Sequence, residues 1–375
     1  MRIDVTDLAR PTVRGLPAYN AGLSNAAVQQ RYGVDRITRL GSNENPYGAG
    51  PAVHAALAAL ADDIWTYPDA SCTALKAAIA AGTGVEPERI LVGNGSENLL
   101  ELLCLTFLQP GDRVVTQTPS FGLHVIYPQM MGASVETIAL NTELEYAADA
   151  WVAAAASAPK MLILCNPSNP IGCRYRRADF ARIVQAASAH TLLVIDEAYY
   201  EYALHDADYP DSLALLRDWP GAWIVLRTFS KAWGLAGLRV GYGLASHAAL
   251  AALGDRVRTP FNVNQAAQRA ALAAWQDPRH MREAVAATVR SREHMAASLK
   301  ALGVPGLRVA PSAANFLWLD LGRENGAVNE ALLARGFITK PWKDAGFENC
   351  LRVSVGLPDE NQRFVEALDA ILRAR

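Results

Sequence analysis

One lysine lies in the stretch of this chain best suited to chemistry, Thr228-Phe229-Ser230-Lys231-Ala232-Trp233-Gly234-Leu235-Ala236-Gly237-Leu238-Arg239-Val240-Gly241. The apolar run at 223–226 directly before it predicts a buried strand. Burial or nearby positive charge lowers the pKa of a lysine amine, which then becomes a nucleophile able to form a Schiff base with a carbonyl compound. Ser230 and Arg239 are residue types that hold a phosphate, as a neutral donor and a charged fork. A surface lysine after a strand is the alternative for Lys231 alone.

A glycine-containing segment, Gly93-Asn94-Gly95-Ser96-Glu97-Asn98, separates a predicted strand at 89–92 from a predicted helix at 97–108. A glycine such as Gly95 lets backbone N–H groups approach a phosphate, and a helix N-terminus adds its dipole and unpaired N–H groups. The segment therefore predicts an anion site at Ser96 and Glu97, although an ordinary strand-to-helix turn has the same pattern.

Two polar segments follow further predicted strands. Asp196-Glu197-Ala198-Tyr199 comes after the apolar run at 192–195, and Asn166-Pro167-Ser168-Asn169-Pro170 comes after the run at 161–165. The carboxylate of Asp196 could keep a heteroaromatic nitrogen protonated, so that the ring acts as an electron sink; a helix N-cap is the alternative. The amide of Asn166, on a stiff proline-rich loop, and the hydroxyl of Tyr199 could donate to an oxygen on such a ring.

Phe121 and Arg352 are further candidates for ligand contacts. Phe121 could lie flat on a planar cofactor, although a core position is more usual for a phenylalanine. Arg352 stands inside the apolar segment Leu351-Arg352-Val353-Ser354-Val355. A buried arginine needs an anionic partner, and a substrate carboxylate or phosphate is a natural one.

The bulk properties of the chain limit the classes of function. The chain has 375 residues, of which 51% are hydrophobic and 19% charged, and a net charge of −2 without a long basic block. Binding to nucleic acid or to an anionic membrane is therefore not expected. The five scattered cysteines favour a reducing compartment. With no apolar signal core and no membrane-spanning run, a cytoplasmic location is expected.

The order of predicted elements indicates the fold class. Short apolar strands alternate with helical segments from residue 89 to residue 227, which is typical of an α/β fold with a mainly parallel central sheet covered by helices. The predicted strands lie at 89–92, 113–117, 134–138, 161–165, 192–195 and 223–227. Beyond about residue 275, a helix at 278–302, further strands and a last helix at 359–374 predict a smaller α+β domain. Loops at the carboxyl ends of parallel strands form ligand crevices, so the polar segments should meet there.

Together these segments resemble the class I/II aminotransferases, enzymes of fold type I that depend on pyridoxal 5′-phosphate (PLP). The resemblance covers nearly the whole chain. Its motifs are the glycine turn, N-P-x-N-P-x-G, D-E-A-Y, S-K-A-x-x-L-A-G-L-R-x-G and the late arginine strand. Gly41-Ser42-Asn43-Glu44-Asn45-Pro46-Tyr47-Gly48 looks like a segment of the histidinol-phosphate aminotransferases, as do Thr66-Tyr67-Pro68-Asp69 and Pro260-Phe261-Asn262-Val263-Asn264.

The resemblance implies a role for each matching residue. Lys231 would form the Schiff base with PLP and move protons, and Asp196 would pair with the pyridine nitrogen. The ring would also meet Asn166, Tyr199 and a stacked Phe121, and the cofactor phosphate would be held by Gly95, Ser96, Glu97, Ser230, Arg239 and, from a neighbouring subunit, Tyr67. Tyr19, Asn43, Lys340 and Arg352 would line the substrate site. A homodimer with shared active sites follows, with an N-terminal arm at 1–45, a large PLP-binding domain at 46–275 and a small domain at 276–375.

The chain departs from the pattern of the family at several positions. Lys340 stands where a second arginine for the substrate phosphate is usual, and lysine keeps the charge without the planar fork. Ile171 replaces a common threonine, Ser168 a common asparagine, and the segment around Tyr19 lacks a second proline. These differences bear on the substrate and leave the PLP prediction intact.

The resemblance implies a ping-pong transfer of an amino group from L-histidinol phosphate to 2-oxoglutarate, giving imidazole acetol phosphate and L-glutamate in histidine biosynthesis. Three alternatives stay open. An aromatic amino-acid aminotransferase would use the same scaffold and a similar cationic pocket. A PLP-dependent decarboxylase of a phosphorylated amino acid and a PLP-binding regulator without activity are the other two.

Overall fold

The computed structural model describes residues 3–17 and 22–374. Its strands are β1 (Thr38–Arg39), β2 (Ile90–Gly93), β3 (Arg113–Thr118), β4 (Ser134–Ala139), β5 (Met161–Cys165), β6 (Leu192–Asp196), β7 (Trp223–Thr228), β8 (Gly241–Ala245), β9 (Arg308–Val309), β10 (Phe316–Asp320), β11 (Phe337–Ile338), β12 (Lys340–Pro341) and β13 (Cys350–Ser354). Its α-helices are α1 (Pro11–Arg14), α2 (Asn25–Tyr32), α3 (Pro51–Ala58), α4 (Thr73–Thr83), α5 (Ser96–Phe107), α6 (Leu123–Met130), α7 (Ala148–Ala156), α8 (Arg177–Ala186), α9 (Tyr200–Ala203), α10 (Ser212–Leu216), α11 (Ala248–Val257), α12 (Gln265–Gln276), α13 (Arg279–Ala301), α14 (Asn325–Leu333) and α15 (Pro358–Arg373).

Strands β2 to β8 form the largest sheet, in the order β2-β8-β7-β6-β5-β3-β4. The pairs from β7 to β4 are parallel, whereas β8 runs antiparallel to both β2 and β7. Alternate residues of β5 enter two different apolar cores, with Leu162 in one and Ile163 in the other. Both faces of the sheet are therefore covered, as the continuous apolar runs require. The predicted α/β fold with a mainly parallel sheet is confirmed.

Strand β8 was not predicted. Its sequence is Gly241-Tyr242-Gly243-Leu244-Ala245, and two glycines hide the usual strand pattern. Close packing explains them. An ideal Cβ on Gly243 would lie 2.8 Å from the Cδ1 of Ile224, and one on Gly241 would lie 2.4 Å from the backbone nitrogen of Ser96. The second contact brings β8 against the start of α5, beside the predicted anion site.

A second, antiparallel sheet is built by the C-terminal part of the chain, in the order β12-β13-β10-β9. Residues from β10, β13, α13 and α15 share one apolar core. The N-terminal segment joins this region, because β1 pairs in parallel with β11 and Leu40 enters the same core. In the described part of the chain, no helix combines the length and the apolar composition needed to cross a membrane.

The carboxyl ends of four strands lie at the same edge of the large sheet. Strand β2 ends at Gly93, β5 at Cys165, β6 at Asp196 and β7 at Thr228. Each end leads into one of the polar segments singled out above. The sheet therefore places these segments around a common crevice, as parallel topology dictates.

Candidate active site

A cavity of about 570 Å³ opens at this edge, between the large sheet and the segment that contains β12 and β13. Most of the predicted site residues line it: Asn43, Ser96, Glu97, Phe121, Asp196, Tyr199, Ser230, Lys231, Arg239, Lys340 and Arg352. Residues scattered over 300 positions of sequence thus converge on one volume. The size is in the range of small-molecule sites.

Lys231 lies deep in this cavity, on the turn that follows β7. Its Nζ donates to the backbone carbonyl of Ser42 at 3.0 Å and lies 5.8 Å from the centre of the Tyr199 ring. Burial, assisted by the positive charge of Arg352, lowers the pKa of the amine to about 8. A sizeable fraction of the amine is therefore neutral near physiological pH, as a nucleophile or a proton acceptor requires.

Asp196 is oriented by a buried relay that the sequence analysis did not identify. His124 Nε2 contacts Asp196 Oδ2 at 2.9 Å, and Ser120 Oγ contacts His124 Nδ1 at the same distance. The N–H of Ala198 donates to Asp196 Oδ1 at 3.0 Å. His124 is fully buried at the start of α6. These contacts fix the position of the carboxylate at the cavity wall, where it could pair with a protonated ring nitrogen.

Ser96, Ser230 and Arg239 form an anion cradle at one end of the cavity. Ser96 begins α5, so the unpaired N–H groups of that helix face this end. Arg239 Nη1 donates to Ser230 Oγ at 3.3 Å. Glu97 was predicted to act through its backbone; its side chain accepts from Arg239 at 3.4 Å and from Tyr127 at 2.7 Å. The carboxylate of Glu97 thus holds the guanidinium of Arg239 at the N-terminus of α5.

Two observations test whether this cavity suits PLP. Gly95 has a φ of +92°, and an ideal Cβ there would lie 2.6 Å from Arg239 Nη2, so a side chain at this position would displace the guanidinium. Beside the cavity, the buried Asn166 Nδ2 has no hydrogen-bond partner among the described residues, whereas its Oδ1 accepts from the N–H of Tyr175 at 3.0 Å. Asn166 also donates through its backbone N–H to the backbone carbonyl of Asp196, so its unsatisfied side-chain donor lies on the segment beside Asp196 and suits an oxygen substituent on a pyridine ring. The residues therefore fit the cofactor.

Alanine at Gly95 should raise the dissociation constant for PLP by about 10- to 100-fold, the cost of losing a hydrogen bond to a charged group. The added methyl group pushes Arg239 out of the cradle. Gly111→Ala is a matched control, because Gly111 has a φ of +93° and no heavy atom of the described residues lies within 4 Å of its ideal Cβ. Fluorescence titration of the two apoproteins with PLP measures the dissociation constant of each variant. Equal affinity of the two variants would refute the cradle assignment.

Asn43 and Tyr199 are joined on the opposite wall. Asn43 Nδ2 donates to the hydroxyl of Tyr199 at 2.9 Å, and Asn43 Oδ1 accepts from Ser354 Oγ at 2.9 Å. Asn43 has a φ of +56°, and its backbone carbonyl accepts from Asn315. The phenol proton of Tyr199 is therefore free to point to a ligand, because its oxygen is already used as the acceptor.

Arg352 and Lys340 form a cationic wall of the cavity. They are direct neighbours across the antiparallel pair β12–β13. Arg352 donates to Asn169 Oδ1 and to the carbonyl of Gly41, both at 2.6 Å. Burial, followed by repulsion from Arg352, lowers the pKa of Lys340 to about 8. Two cations held this close favour an anionic ligand between them.

Three of the predicted residues that the structure describes do not line the cavity. Gly95 and Asn166 flank residues of the cavity lining without being part of it. Tyr67 is 81% exposed and stacks on Phe261 with ring centres 4.6 Å apart, so it does not reach the cavity of its own chain. Tyr19 lies outside the described residues. Phe121 lines the cavity and meets His124 edge to face.

Comparison with known proteins shows the family. A model of aminotransferase class I and II matches residues 35–368. Histidinol-phosphate aminotransferase 1 of Mesorhizobium japonicum is 46% identical over 367 residues, which is 98% of this chain and 99% of that protein. Histidinol-phosphate aminotransferase 3 of Rhizobium meliloti is 44% identical over 96% of this chain and 97% of its own length.

A solved structure agrees with these relatives. The crystal structure of histidinol-phosphate aminotransferase from Sinorhizobium meliloti in complex with pyridoxal 5′-phosphate superposes with a TM-score of 0.87, at 29% identity and over 97% of both chains. The predicted family and the predicted cofactor are both confirmed. The chain therefore belongs to the class I and II aminotransferases and is a PLP-dependent aminotransferase.

Proposed function

We propose that this aminotransferase transfers the amino group of L-histidinol phosphate to 2-oxoglutarate in histidine biosynthesis, giving imidazole acetol phosphate and L-glutamate. The observation that carries the proposal is the pair Lys340 and Arg352, which are direct neighbours on adjacent strands and line the same cavity as Arg239. The cavity thus offers two groups of anion-binding residues, Arg239 with Ser230 and the pair Lys340 and Arg352. One suits the cofactor phosphate, and the other suits the phosphate of the donor. The names of the relatives agree with this substrate.

The residues around the cavity divide the work of the reaction. When bound, PLP supplies an electron sink that stabilises negative charge at the carbon bearing the donor amine. Lys231 Nζ accepts the proton from that carbon, because its lowered pKa leaves it partly neutral. Asp196, fixed by His124, holds the proton on the ring nitrogen. Tyr199 and Asn166 would donate to the ring oxygen, and Phe121 would cover the ring face.

Both half-reactions of a ping-pong cycle require the same cationic wall. Arg352 would bind the phosphate of the donor in the first half-reaction and a carboxylate of 2-oxoglutarate in the second. Its guanidinium is anchored by Asn169 and Gly41 and lies 5.4 Å from the ring centre of Phe316. A planar fork in a fixed position suits either anion, because each offers two oxygens. The same property makes aromatic amino acids the second candidate donors.

Lys340→Ala should raise KM for L-histidinol phosphate by about 10- to 100-fold, while kcat changes little, because a charged hydrogen bond to the phosphate is lost. The wild-type enzyme should also lose affinity for this donor as pH rises through about 8, where Lys340 gives up its proton. Lys340→Arg should keep the affinity at higher pH, since arginine does not titrate there. Steady-state kinetics from pH 6.5 to 9 measure KM for the wild type, Lys340→Ala and Lys340→Arg. An unchanged KM in Lys340→Ala would exclude a contact between Lys340 and the phosphate.

A single-turnover experiment tests the choice of donor. PLP-loaded protein is mixed with L-histidinol phosphate, its unphosphorylated analogue L-histidinol or L-phenylalanine, and conversion of the lysine-bound cofactor to pyridoxamine phosphate is followed by absorbance. The proposal predicts fast conversion by L-histidinol phosphate and much slower conversion by the other two. Preference for L-phenylalanine would identify an aromatic aminotransferase instead. No conversion by any amine would argue for a decarboxylase or a regulator.

Three further predictions concern organisation. We place the N-terminal arm at 1–45, the large PLP-binding domain at 46–275 and the small domain at 276–375. We also propose a homodimer in which Tyr67 reaches the cofactor phosphate of the neighbouring subunit; the exposure of Tyr67 and of Trp65, at 81% and 84%, supports it. A cytoplasmic site of action agrees with five buried, unpaired cysteines. Sedimentation of the holoenzyme as a monomer would contradict the shared site.

A further inference from the structure

The turn that carries Lys231 is a compact unit. The N–H of Gly234 donates to the carbonyl of Lys231 at 3.1 Å, and the N–H of Leu235 donates to the carbonyl of Phe229 at 3.0 Å. Because these bonds close the backbone on both sides of Lys231, the lysine moves with the turn as a whole. Contacts from outside the turn therefore set where the amine stands in the cavity.

One such contact is a buried hydrogen bond to Glu201. The indole Nε1 of Trp233 donates to Glu201 Oε1 at 2.8 Å, and each of the two residues is only 7% exposed. Trp233 stands two residues after Lys231. Glu201 stands two residues after Tyr199, on the short helix α9, whose N-cap is Tyr199. The bond thus ties the segment of the lysine to the segment of the tyrosine that faces it.

We propose that Glu201 is a positioning residue for the aminotransferase reaction. Through the indole of Trp233, Glu201 holds the turn that carries Lys231 in a fixed position relative to Tyr199. Neither Glu201 nor Trp233 lines the cavity, so the effect on the reacting atoms is indirect. The proposal concerns the cofactor chemistry of the family and does not depend on which amine is the donor.

The surroundings of Glu201 support this role over simple charge pairing. Another buried acid, Glu197, already binds the guanidinium of Arg227 at 2.8 Å and the hydroxyl of Ser212 at 2.5 Å. Arg227 is therefore neutralised without Glu201. A buried carboxyl group that accepts an indole N–H costs desolvation energy, and such groups are retained where they specify geometry.

The indole itself is held in a second way that the test must separate. Trp233 stacks on Trp275 with ring centres 5.4 Å apart and an interplanar angle of 22°. The indole also packs against Phe229, with ring centres 5.5 Å apart. These ring contacts hold the faces of the indole, and the bond to Glu201 holds its Nε1 edge. Asn45 provides an independent anchor, because its Nδ2 donates to the carbonyl of Ala232 at 2.9 Å, so loss of the Glu201 bond should loosen the turn without releasing it.

Glu201→Leu and Trp233→Phe remove the bond from either side, and Glu201→Gln keeps an acceptor oxygen. In Glu201→Leu and Trp233→Phe, kcat should fall about tenfold with little change in KM, less than the ~100-fold cost of a 1 Å misplacement. The pH midpoint of the absorbance of the lysine-bound cofactor should rise by about half a unit, because a looser lysine is better solvated and its protonated form is disfavoured less. Glu201→Gln should stay close to wild type in both measurements. The double variant should be no worse than either single one.

Thr191→Val is the matched control for loss of a buried hydrogen bond. Thr191 Oγ1 donates to the carbonyl of Pro159 at 2.7 Å, before β6 and away from the cavity. The control should lower Tm without moving the spectroscopic midpoint. If Glu201→Leu behaves in the same way, with Tm lowered but midpoint and kcat unchanged, Glu201 is merely structural and the proposal is wrong. Should Glu201→Leu fail to fold, Trp233→Phe, which retains the ring stack, decides the question alone.

Discussion

Lys231→Ala should lower the rate of amino transfer by at least about 10⁴-fold, because it removes both the nucleophilic amine and the group that moves the proton. The cradle of Ser96, Ser230 and Arg239 is untouched, so the variant should still bind PLP, without a covalent bond. Steady-state rates and the absorbance spectrum of the reconstituted protein measure the two effects. The spectrum should be that of a free aldehyde in place of a lysine-bound cofactor.

Lys300→Ala is the control for this experiment. Lys300 is exposed in the last turn of α13 and does not line the cavity. It should keep wild-type rate and spectrum. An addition experiment strengthens the test, since a small primary amine supplied in solution can replace the missing proton acceptor. Residual amino transfer by Lys231→Ala near the wild-type level would contradict the role of this lysine.

Asp196→Asn should lower kcat by about 10³-fold, in the range found when a preorganised electrostatic partner is removed. The amide has nearly the same shape but no charge, so it cannot keep the ring nitrogen of PLP protonated. Its contacts with His124 and the N–H of Ala198 can be retained in part, so folding should be preserved. Stopped-flow measurement of the first half-reaction reports the loss, and circular dichroism reports the fold.

Asp149→Asn is the matched control for Asp196→Asn. Asp149 is an exposed residue of α7 that binds Arg182 at the surface. Its replacement should leave the half-reaction unchanged. The pH profile offers a second discrimination, because Asp196→Asn should make the spectrum of the bound cofactor respond to pH differently from wild type. A half-reaction rate in Asp196→Asn within a few-fold of wild type would show that this carboxylate does not act on the ring.

Local pattern was enough to predict much of the fold. The strand predicted at 161–165 is β5, because Asn166-Pro167 ends the apolar run sharply. The helix predicted at 278–302 is α13, at Arg279–Ala301, since charged and apolar residues alternate there with helical spacing. Strand β8 was not predicted because its two glycines interrupt the strand pattern. They allow close packing against Ile224 and Ser96, which are distant in sequence, so the strand's own residues do not reveal it.

The candidate site likewise combines residues that a local sequence pattern predicts with contacts that it does not predict. Lys231, Asp196 and Arg239 follow strands or sit in dense motifs, and the chemistry of each residue type suggests its role. The contacts that orient them join distant residues: Lys231 with Ser42, 189 positions away, and Asn43 with Tyr199, 156 positions away. The only local signal for His124 is its spacing of four residues from Ser120, and this spacing does not predict the contact with Asp196. Such partners depend on the packing of the whole chain, which no single segment specifies.

The most direct test of the central claim follows the nitrogen atom itself. L-Histidinol phosphate labelled with ¹⁵N at the amine is incubated with the PLP-loaded enzyme and 2-oxoglutarate, and the products are examined by mass spectrometry. The account predicts one labelled L-glutamate for each imidazole acetol phosphate formed, and no product when either substrate is left out over many turnovers. Label that remains in the donor, or appears as free ammonia, would contradict amino transfer by this enzyme.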